Sequence, residues 1–449
     1  MTDNRTAKYL TERIPRYTSY PAAPRFSPGI GSGTYRDWLR ALPETTRLSL
    51  YLHVPFCKTL CWYCGCNTSV TRHREPIELY VQTLQQEIAR VADLSGSHRA
   101  AHIHWGGGTP TILGPELFTS LMTLLRERFI LEPDAEIAIE ADPRRLDPAM
   151  ASALGQAGVT RVSIGVQTFD PVVQQAVGRV QSLETTAACV ESIRDAGISA
   201  INVDLLYGLP HETLATCEAT VEAALTLKPS RFSVFGYAHV PNMMRHQQVI
   251  DASALPGAAE RLRQEQAIGD ALVRAGYVRI GLDHYALPDD PLCLARTGGR
   301  LRRNFQGYTD DPADALIGFG ASSIGQLPQG YVQNVSHVKL WRDRIEAGDL
   351  ATARGLALTG EDGLRGAIIE RLMCDLRADV PAISRQLGFP SDYLALEVEA
   401  LERLADDGLV RIDQGVISVP DSARNLVRVV ASTFDAYLDT AAGRHAVAV

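Results

Sequence analysis

Residues 48–68, LSLYLHVPFCKTLCWYCGCNT, join an apolar segment with strand character to a loop that holds four of the eight cysteines of the chain. Cys57, Cys61 and Cys64 have the spacing CxxxCxxC, and Cys66 follows two residues later. The other cysteines are scattered, which is typical of a reducing compartment and not of a secreted disulfide framework. The stretch therefore predicts a thiolate site directly after a first strand.

The composition is that of a globular protein. The chain has 449 residues, of which 45% are hydrophobic and 21% are charged, and no apolar run approaches the roughly 18 residues needed to span a bilayer. The N-terminus lacks the apolar segment of a secretory signal, so a cytoplasmic location and no membrane partner are expected. A formal net charge of −8 argues against a nucleic-acid partner.

Six apolar segments with strand character alternate with helical patterns. This order predicts a parallel sheet covered by helices, in a full or partial α/β barrel. The carboxyl ends of the strands, and the loops that follow them, are where such a barrel carries its functional residues. The predicted strands are 48–54, 101–105, 136–141, 161–166, 201–207 and 231–237, and the predicted helices are 76–95, 115–129, 148–156, 183–196, 212–227 and 256–275.

The remainder of the chain has a different pattern. The segment 279–335 is irregular, and the chain beyond about residue 337 is mainly helical. A hairpin is predicted at 409–418, where Gly415 is available for the turn, which favours a winged-helix type of domain. Three regions are therefore predicted: an N-terminal extension or lid (1–46), a barrel with its catalytic loops (47–335) and a helical, winged-helix-like C-terminal domain (336–449).

The cysteine loop allows more than one kind of site. Structural zinc usually takes two cysteine pairs from separate segments, and the downstream sequence offers no second pair. A redox dithiol would have the spacing CxxC. Three thiolates on a four-iron cluster would leave one iron open to chelate a substrate or cofactor. The spacing favours the iron–sulfur cluster, with zinc and the dithiol as alternatives.

CxxxCxxC with Tyr63 before the third cysteine resembles the signature of the radical S-adenosylmethionine superfamily. Within it, segments spread over almost the whole chain resemble the oxygen-independent coproporphyrinogen III dehydrogenases, also called oxidases. This resemblance implies an α/β fold with a partial (β/α)6 barrel, an N-terminal extension and a mainly helical C-terminal domain. The further segments are RYTSYPAAPRF (16–26), HWGGGTPT (104–111), IEADPR (139–144), VSIGVQTF (162–169), NVDLLYGLP (202–210), FSVFGYAH (232–239), GLDHYALPDD (281–290) and RNFQGYT (303–309).

The resemblance also implies a reaction and its cofactors. Cys57, Cys61 and Cys64 would hold a [4Fe–4S] cluster, and two molecules of S-adenosylmethionine are expected. The implied reaction converts the ring A and B propionates of coproporphyrinogen III to vinyl groups by oxygen-independent oxidative decarboxylation, through a 5′-deoxyadenosyl radical, and gives protoporphyrinogen IX for haem biosynthesis. An electron donor such as flavodoxin or ferredoxin is expected, as is a monomeric enzyme.

The remaining site residues follow from the same resemblance. Tyr51 and Cys66 are expected as catalytic residues, Cys66 lining the site near the second cofactor without ligating iron. Carboxylate and amide oxygens at strand ends suit an ammonium group and ribose hydroxyls, and the planar fork of an arginine suits a carboxylate. The implied cofactor contacts are Tyr51, Tyr63, Cys66, Gly107, Gly108, Thr109, Glu140, Gln167, Arg179, Asp204, Ala238 and Ile324.

Two other functions are compatible with this scaffold: a haem chaperone of the radical-SAM type and a related radical enzyme that acts on another substrate. In the chaperone relatives the position of Cys66 is usually Phe and the YTSYP segment is missing, so both features favour the dehydrogenase. Because the implied substrate carries four propionates, an acidic protein needs local cations to bind it. The candidate propionate clamps are Arg16, Arg25, Arg302 and Arg303.

Overall fold

The structure is a computed structural model and describes residues 8–438. The outermost parts of the predicted N-terminal extension and C-terminal domain, 1–7 and 439–449, lie outside the described residues. Seven parallel strands form the middle of a twelve-stranded sheet, in the order β7-β1-β2-β3-β4-β5-β6. They are β1 (Arg47–Val54), β2 (Arg99–Gly107), β3 (Ile130–Ala141), β4 (Arg161–Gln167), β5 (Ala200–Tyr207), β6 (Arg231–Gly236) and β7 (Ala315–Phe319).

Helices follow the first six of these strands and confirm the six predicted βα units. Each strand carries apolar side chains into a common core; Leu48, Leu50 and Leu52 of β1, for example, are fully buried. Several helices begin at a side-chain cap, such as Asp147, which accepts a hydrogen bond from the backbone N–H of Met150 at 2.8 Å. The helices are α1 (Glu75–Ser95), α2 (Gly114–Arg128), α3 (Pro148–Gln156), α4 (Leu183–Asp195), α5 (Leu214–Thr226) and α6 (Ala258–Arg274).

The prediction of an irregular segment at 279–335 is wrong. This part of the chain forms β7 and a series of strands of three to five residues, most of which extend the large sheet at its two edges. Strands this short carry too little of the alternating pattern to be recognised in the sequence. They are Val278–Ile280, His284–Ala286, Arg302–Asn304, Gly307–Thr309, Ile324–Leu327 and Gly330–Asn334; Thr352–Ala357 is a further edge strand, and the helices Pro291–Thr297 and Val338–Glu346 lie between them.

The C-terminal part is helical around a three-stranded sheet. Its predicted hairpin is confirmed, with Gln414 and Gly415 both at positive φ (49° and 81°), as a two-residue type I′ turn requires. The helices are Gly360–Asp375, Val380–Gln386, Ala395–Ala400, Glu402–Asp406 and Val427–Ser432, and the strands are Arg377–Asp379, Arg411–Asp413 and Val416–Ser418. In residues 8–438, no helix has the length and apolarity that a membrane span requires.

The N-terminal segment packs against this C-terminal part. Tyr9, Ile14 and Tyr17 are buried in the same apolar core as the helix Gly360–Asp375. The hydroxyl groups of Tyr9 and Tyr17 donate hydrogen bonds to Asp407 (2.5 Å) and Asp435 (3.1 Å). The helix Ser32–Arg40, by contrast, belongs to the core of the barrel. The N-terminal segment therefore contacts both the C-terminal part and the barrel.

Candidate active site

The cysteine loop leaves the carboxyl end of β1 and is closed by a short parallel pair of strands, Phe56–Cys57 and Ser69–Val70. At its middle, the backbone N–H of Trp62 donates to the carbonyl of Val177 at 2.9 Å. The indole ring lies over Gly178, where a Cβ atom would be 2.9 Å from the ring and φ is +66°. Only glycine fits this position, so the loop is anchored to the connection between β4 and α4.

Cys57 contacts the turn that follows the second strand of the barrel. Its sulfur accepts a hydrogen bond from the hydroxyl of Thr68 at 3.3 Å and lies 3.5 Å from the hydroxyl of Thr109. Burial raises the pKa of the Cys57 thiol, whereas these two hydroxyl groups act in the opposite direction. Donors arranged around a sulfur in this way stabilise a thiolate that binds a metal.

Two arginines lie at the second cysteine. The guanidinium groups of Arg179 and Arg144 approach the Cys61 sulfur at 3.4 and 3.7 Å. At Cys64, hydrogen bonds from the thiol and the backbone N–H of Cys66 (3.4 Å for the latter) lower the pKa of the thiol to about 6. The loop thus offers three sulfurs with donors and positive charge around them, and this donor set fits an anionic iron–sulfur cluster. Cys66 itself is exposed.

The glycine turn after β2 is bonded directly to the cysteine loop. The N–H groups of Gly108 and Thr109 donate to the carbonyls of Val54 and Phe56, both at 2.8 Å. A Cβ atom on Gly108 would lie 2.5 Å from the Phe56 oxygen. Gly108 is therefore required because two backbone segments touch here, whereas the resemblance assigned the glycines to cofactor contacts.

Two acidic side chains face the lumen of the barrel. Glu140, near the end of β3, accepts a hydrogen bond from the backbone N–H of Gly107 at 3.1 Å. Asp204 on β5 accepts from Ser163 (3.0 Å) and Asn202 (2.7 Å), while burial and the charge of Glu140 raise its pKa to about 6. Both acids line one cavity of about 160 Å³.

Arg179 is not a surface residue. It is 7% exposed and its guanidinium donates to the Gly165 carbonyl at 2.5 Å and lies 3.6 Å from Asp142. Its Nε atom is buried and, among the described residues, has no hydrogen-bond partner. Although burial opposes its charge, Tyr63 and Asp142 keep its pKa raised. A buried arginine with an unused donor beside Cys61 is suited to receive a carboxylate.

The other predicted residues lie around the same opening. Tyr51 hydrogen-bonds the His53 ring at 3.0 Å and is paired in register with Gly318 of β7. Ile324 follows β7, and its carbonyl would be 2.6 Å from a Cβ on Gly318. At the other side of the parallel sheet, Ala238 follows β6. Gln167, which ends β4, has a left-handed backbone with φ of 71°.

The four predicted propionate clamps do not share one cavity. Arg16 and Arg303 line a cavity of about 200 Å³ beyond the end of β6. Arg302 lines a second cavity, of about 310 Å³, that Arg303 also borders, and it donates to the carbonyl of Ala313 at 3.2 Å. Arg25 donates to the carbonyl of Tyr437. Three more arginines line the first cavity, although the sequence did not single them out: Arg13, Arg261 and Arg428. Two acidic residues, Glu265 and Asp283, line it as well.

Sequence reasoning also missed residues that support the cysteine loop from outside. His246 and Gln247 contact the carbonyls of Cys64 and Tyr63 at 2.7 and 3.0 Å. No motif marks them, since their neighbours form an irregular segment between β6 and α6. Arg144 was part of a quoted motif, IEADPR, but no role was predicted for it.

Comparison with known proteins identifies the class and then the family. Residues 51–224 match the radical SAM superfamily, so fold and site together define a radical S-adenosylmethionine enzyme that uses a [4Fe–4S] cluster and S-adenosylmethionine. The oxygen-independent coproporphyrinogen III oxidase of Bradyrhizobium diazoefficiens is 52% identical over 98% of both chains. That of Escherichia coli is 40% identical over 94% of this chain and 93% of the relative.

A solved structure gives the same result. The Escherichia coli coproporphyrinogen III oxidase, described as a radical SAM enzyme, superposes with a TM-score of 0.91 at 39% identity, covering 94% of this chain and 98% of that chain. The chain belongs to the family of oxygen-independent coproporphyrinogen III oxidases. The predicted α/β fold with a partial barrel and a helical C-terminal domain is thereby confirmed.

Proposed function

We propose that this enzyme converts the ring A and B propionates of coproporphyrinogen III to vinyl groups and so forms protoporphyrinogen IX for haem biosynthesis. The observation that carries the proposal is the cavity beyond β6. Five arginines and two acids line it, although the whole chain has a net charge of −8. A substrate with four propionates is complementary to such a concentration of guanidinium groups.

Cys57, Cys61 and Cys64 would hold the [4Fe–4S] cluster, with Arg179 and Arg144 balancing the charge at Cys61. When bound there, the cluster and S-adenosylmethionine would supply the radical chemistry that removes a hydrogen atom from a propionate β-carbon. Thr68 and Thr109 donate hydrogen bonds towards Cys57 and fix its orientation. An external one-electron donor such as flavodoxin or ferredoxin is part of this proposal. So is a one-electron acceptor, because the substrate radical must lose carbon dioxide and one electron to leave the vinyl group.

The carboxyl ends of the strands would bind the cofactor. Glu140 and Asp204 present oxygen acceptors to ammonium and hydroxyl groups, and the unused donor of Arg179 suits a carboxylate. We assign Gly107, Gly108, Thr109, Tyr51, Tyr63 and Gln167 to the same contacts. Ala238 and Ile324, on opposite sides of the opening, support the proposal of two S-adenosylmethionine molecules, with Cys66 lining the space as a non-ligand.

Arg16 and Arg303 differ in how they would meet the substrate. The guanidinium of Arg303 already contacts other groups of the protein: it lies 3.2 Å from Asp283 and 4.4 Å from the centre of the Tyr308 ring. Arg16 is exposed and donates one bond, to the carbonyl of Gly236, at 3.3 Å. We therefore assign a propionate to Arg16, with Arg303 contributing to the field of the cavity.

An anaerobic assay tests the reaction. The reconstituted enzyme is supplied with S-adenosylmethionine, reductant and coproporphyrinogen III, and the expected products are 5′-deoxyadenosine and protoporphyrinogen IX. Stable haem binding without a vinyl product would instead identify a haem chaperone. Formation of 5′-deoxyadenosine without porphyrinogen turnover would identify an enzyme for another substrate.

The variant pair Arg16→Ala and Arg25→Ala tests the cavity. A hydrogen bond to a charged group contributes about 1.5–3 kcal/mol, so Arg16→Ala should raise the KM for coproporphyrinogen III by about tenfold or more. Arg25 lies outside the cavity, so its variant should keep the wild-type KM. Equal KM values for both variants would contradict the assignment.

A further inference from the structure

The structure assigns to Gln247 a positioning role: its amide fixes the carbonyls of Tyr63 and Ala238 and thereby holds two sides of the cofactor site at a set separation. The inference rests on the S-adenosylmethionine site of the proposed function, but it does not depend on the porphyrin substrate. Gln247 belongs to a short 3₁₀ turn, Arg245–Val249, in the connection between β6 and α6.

Three of the four hydrogen-bonding positions of this amide are used inside the protein: both N–H donors and one acceptor position of the oxygen. The Nε2 group of Gln247 donates to the carbonyls of Tyr63 (3.0 Å) and Ala238 (3.3 Å). Its Oε1 atom accepts the backbone N–H of Val240 at 2.6 Å. The side chain is 1% exposed. Because two carbonyls and one N–H face it, an amide satisfies all of them, whereas a carboxylate or an aliphatic side chain of similar size leaves buried groups unpaired.

The neighbouring side chain strengthens the same contact. His246 bonds the carbonyl of Cys64 at 2.7 Å, so consecutive residues of the turn hold consecutive carbonyls of the cysteine loop. Just beyond the turn, Ile250 is buried with Val173, Val177 and Tyr237, and Tyr63 packs against this cluster. Polar and apolar contacts therefore fix the 240–250 segment against the loop.

The two carbonyls belong to parts of the chain that line the proposed cofactor site: Tyr63 is assigned to the first S-adenosylmethionine, and Ala238 to the second. Tyr63 lies immediately before the third cysteine of the loop, and Ala238 follows the last of the six βα strands. The sheet hydrogen bonds do not connect these two ends directly, since β1 and β6 are separated by four other strands. Gln247 supplies a link across the opening. Without it, we expect the protein to fold and bind iron but to bind S-adenosylmethionine less tightly.

The test compares Gln247→Leu with Gln248→Leu in the anaerobically reconstituted, full-length enzyme. Gln248 is the same residue type at the next position and is exposed, so it controls for the chemistry of the substitution. Three quantities are measured: iron and sulfide per chain, the Kd for S-adenosylmethionine, and the change in the EPR spectrum of the reduced cluster on adding S-adenosylmethionine. No porphyrinogen is present.

Gln247→Leu should retain the iron and sulfide of the wild type and raise the Kd by about tenfold, with a smaller EPR change. Gln248→Leu should match the wild type in all three. A Kd and an EPR change for Gln247→Leu that equal those of Gln248→Leu overturn the proposal.

If the Gln247→Leu variant loses its iron, the test uses Gln247→Glu instead. A glutamate keeps the size of the side chain and the oxygen that accepts the N–H of Val240. A Kd of this variant within twofold of wild type overturns the proposal, and a tenfold rise with full iron supports it. A wild-type enzyme that binds no S-adenosylmethionine would overturn the proposed function itself, and a wild type that binds it but leaves coproporphyrinogen unchanged would affect only the proposed substrate.

Discussion

Replacing Gly108 by alanine should push the cysteine loop away from the glycine turn that follows β2. The added Cβ atom would lie 2.5 Å from the carbonyl oxygen of Phe56 and 2.7 Å from the hydroxyl of Thr68. The first of these is backbone, which cannot turn away as a flexible side chain would. The loop must therefore shift as a whole, and Thr68 is also the group that donates to the Cys57 sulfur.

The size of the effect follows from the contacts. Overpacking of this kind costs about 1–3 kcal/mol. A shift also weakens the hydrogen bonds from Gly108 to Val54 and from Thr109 to Phe56, each with a net contribution of about 1 kcal/mol. With each of these two hydrogen bonds weakened by about half, the total is about 2–4 kcal/mol. Its lower limit corresponds to a roughly thirtyfold rise in the population of the opened loop.

Iron release measures this population. A chelator that takes iron only from the opened loop should remove it about thirtyfold faster from Gly108→Ala than from the wild type, under anaerobic conditions, when opening is fast relative to capture. Gly33→Ala is the control, because a Cβ there meets no atom within 4 Å. Equal release rates for the two variants would refute the reasoning that the glycine turn holds the loop.

Three further predictions concern single side chains. Cys66→Ser should retain the iron content of the wild type but turn over more slowly, whereas Cys64→Ser should lose the cluster. Loss of iron in Cys66→Ser would contradict the assignment of Cys66 as a non-ligand. Arg303→Ala removes the arginine from the carboxylate of Asp283, which is 14% exposed and keeps the His284 ring at 2.7 Å. A cost of about 3–5 kcal/mol is expected, so the melting temperature of this variant should fall well below that of the control Arg302→Ala. Burial raises the pKa of Glu87 from 4.5 to about 7, so the folded state binds more protons than the unfolded state. The free energy of unfolding therefore falls as the pH rises from about 4.5 to 7. Glu87→Gln should flatten the pH dependence of the melting temperature over this range, and an unchanged dependence would contradict the raised pKa of Glu87.

The sequence alone determined those features that depend on neighbouring residues. The six parallel strands and their helices follow from apolar periodicity, which acts over segments of about 5 to 20 residues. The cysteine loop is equally local, since its three ligands lie within eight residues. The glycine run after β2 was also visible, but the resemblance assigned it to the cofactor, and only the structure shows that Gly108 meets the backbone of Phe56.

Only the tertiary structure decided how distant segments meet. The arginine cavity is lined by Arg16 of the N-terminal segment, Arg303 of a short hairpin and Arg428 of the C-terminal part. Two of the four predicted clamps lie outside it. The link from Gln247 to Tyr63 spans 184 residues of chain. Such contacts leave no periodic pattern, because each depends on the path of the whole backbone and not on the local preferences of the residues that form it.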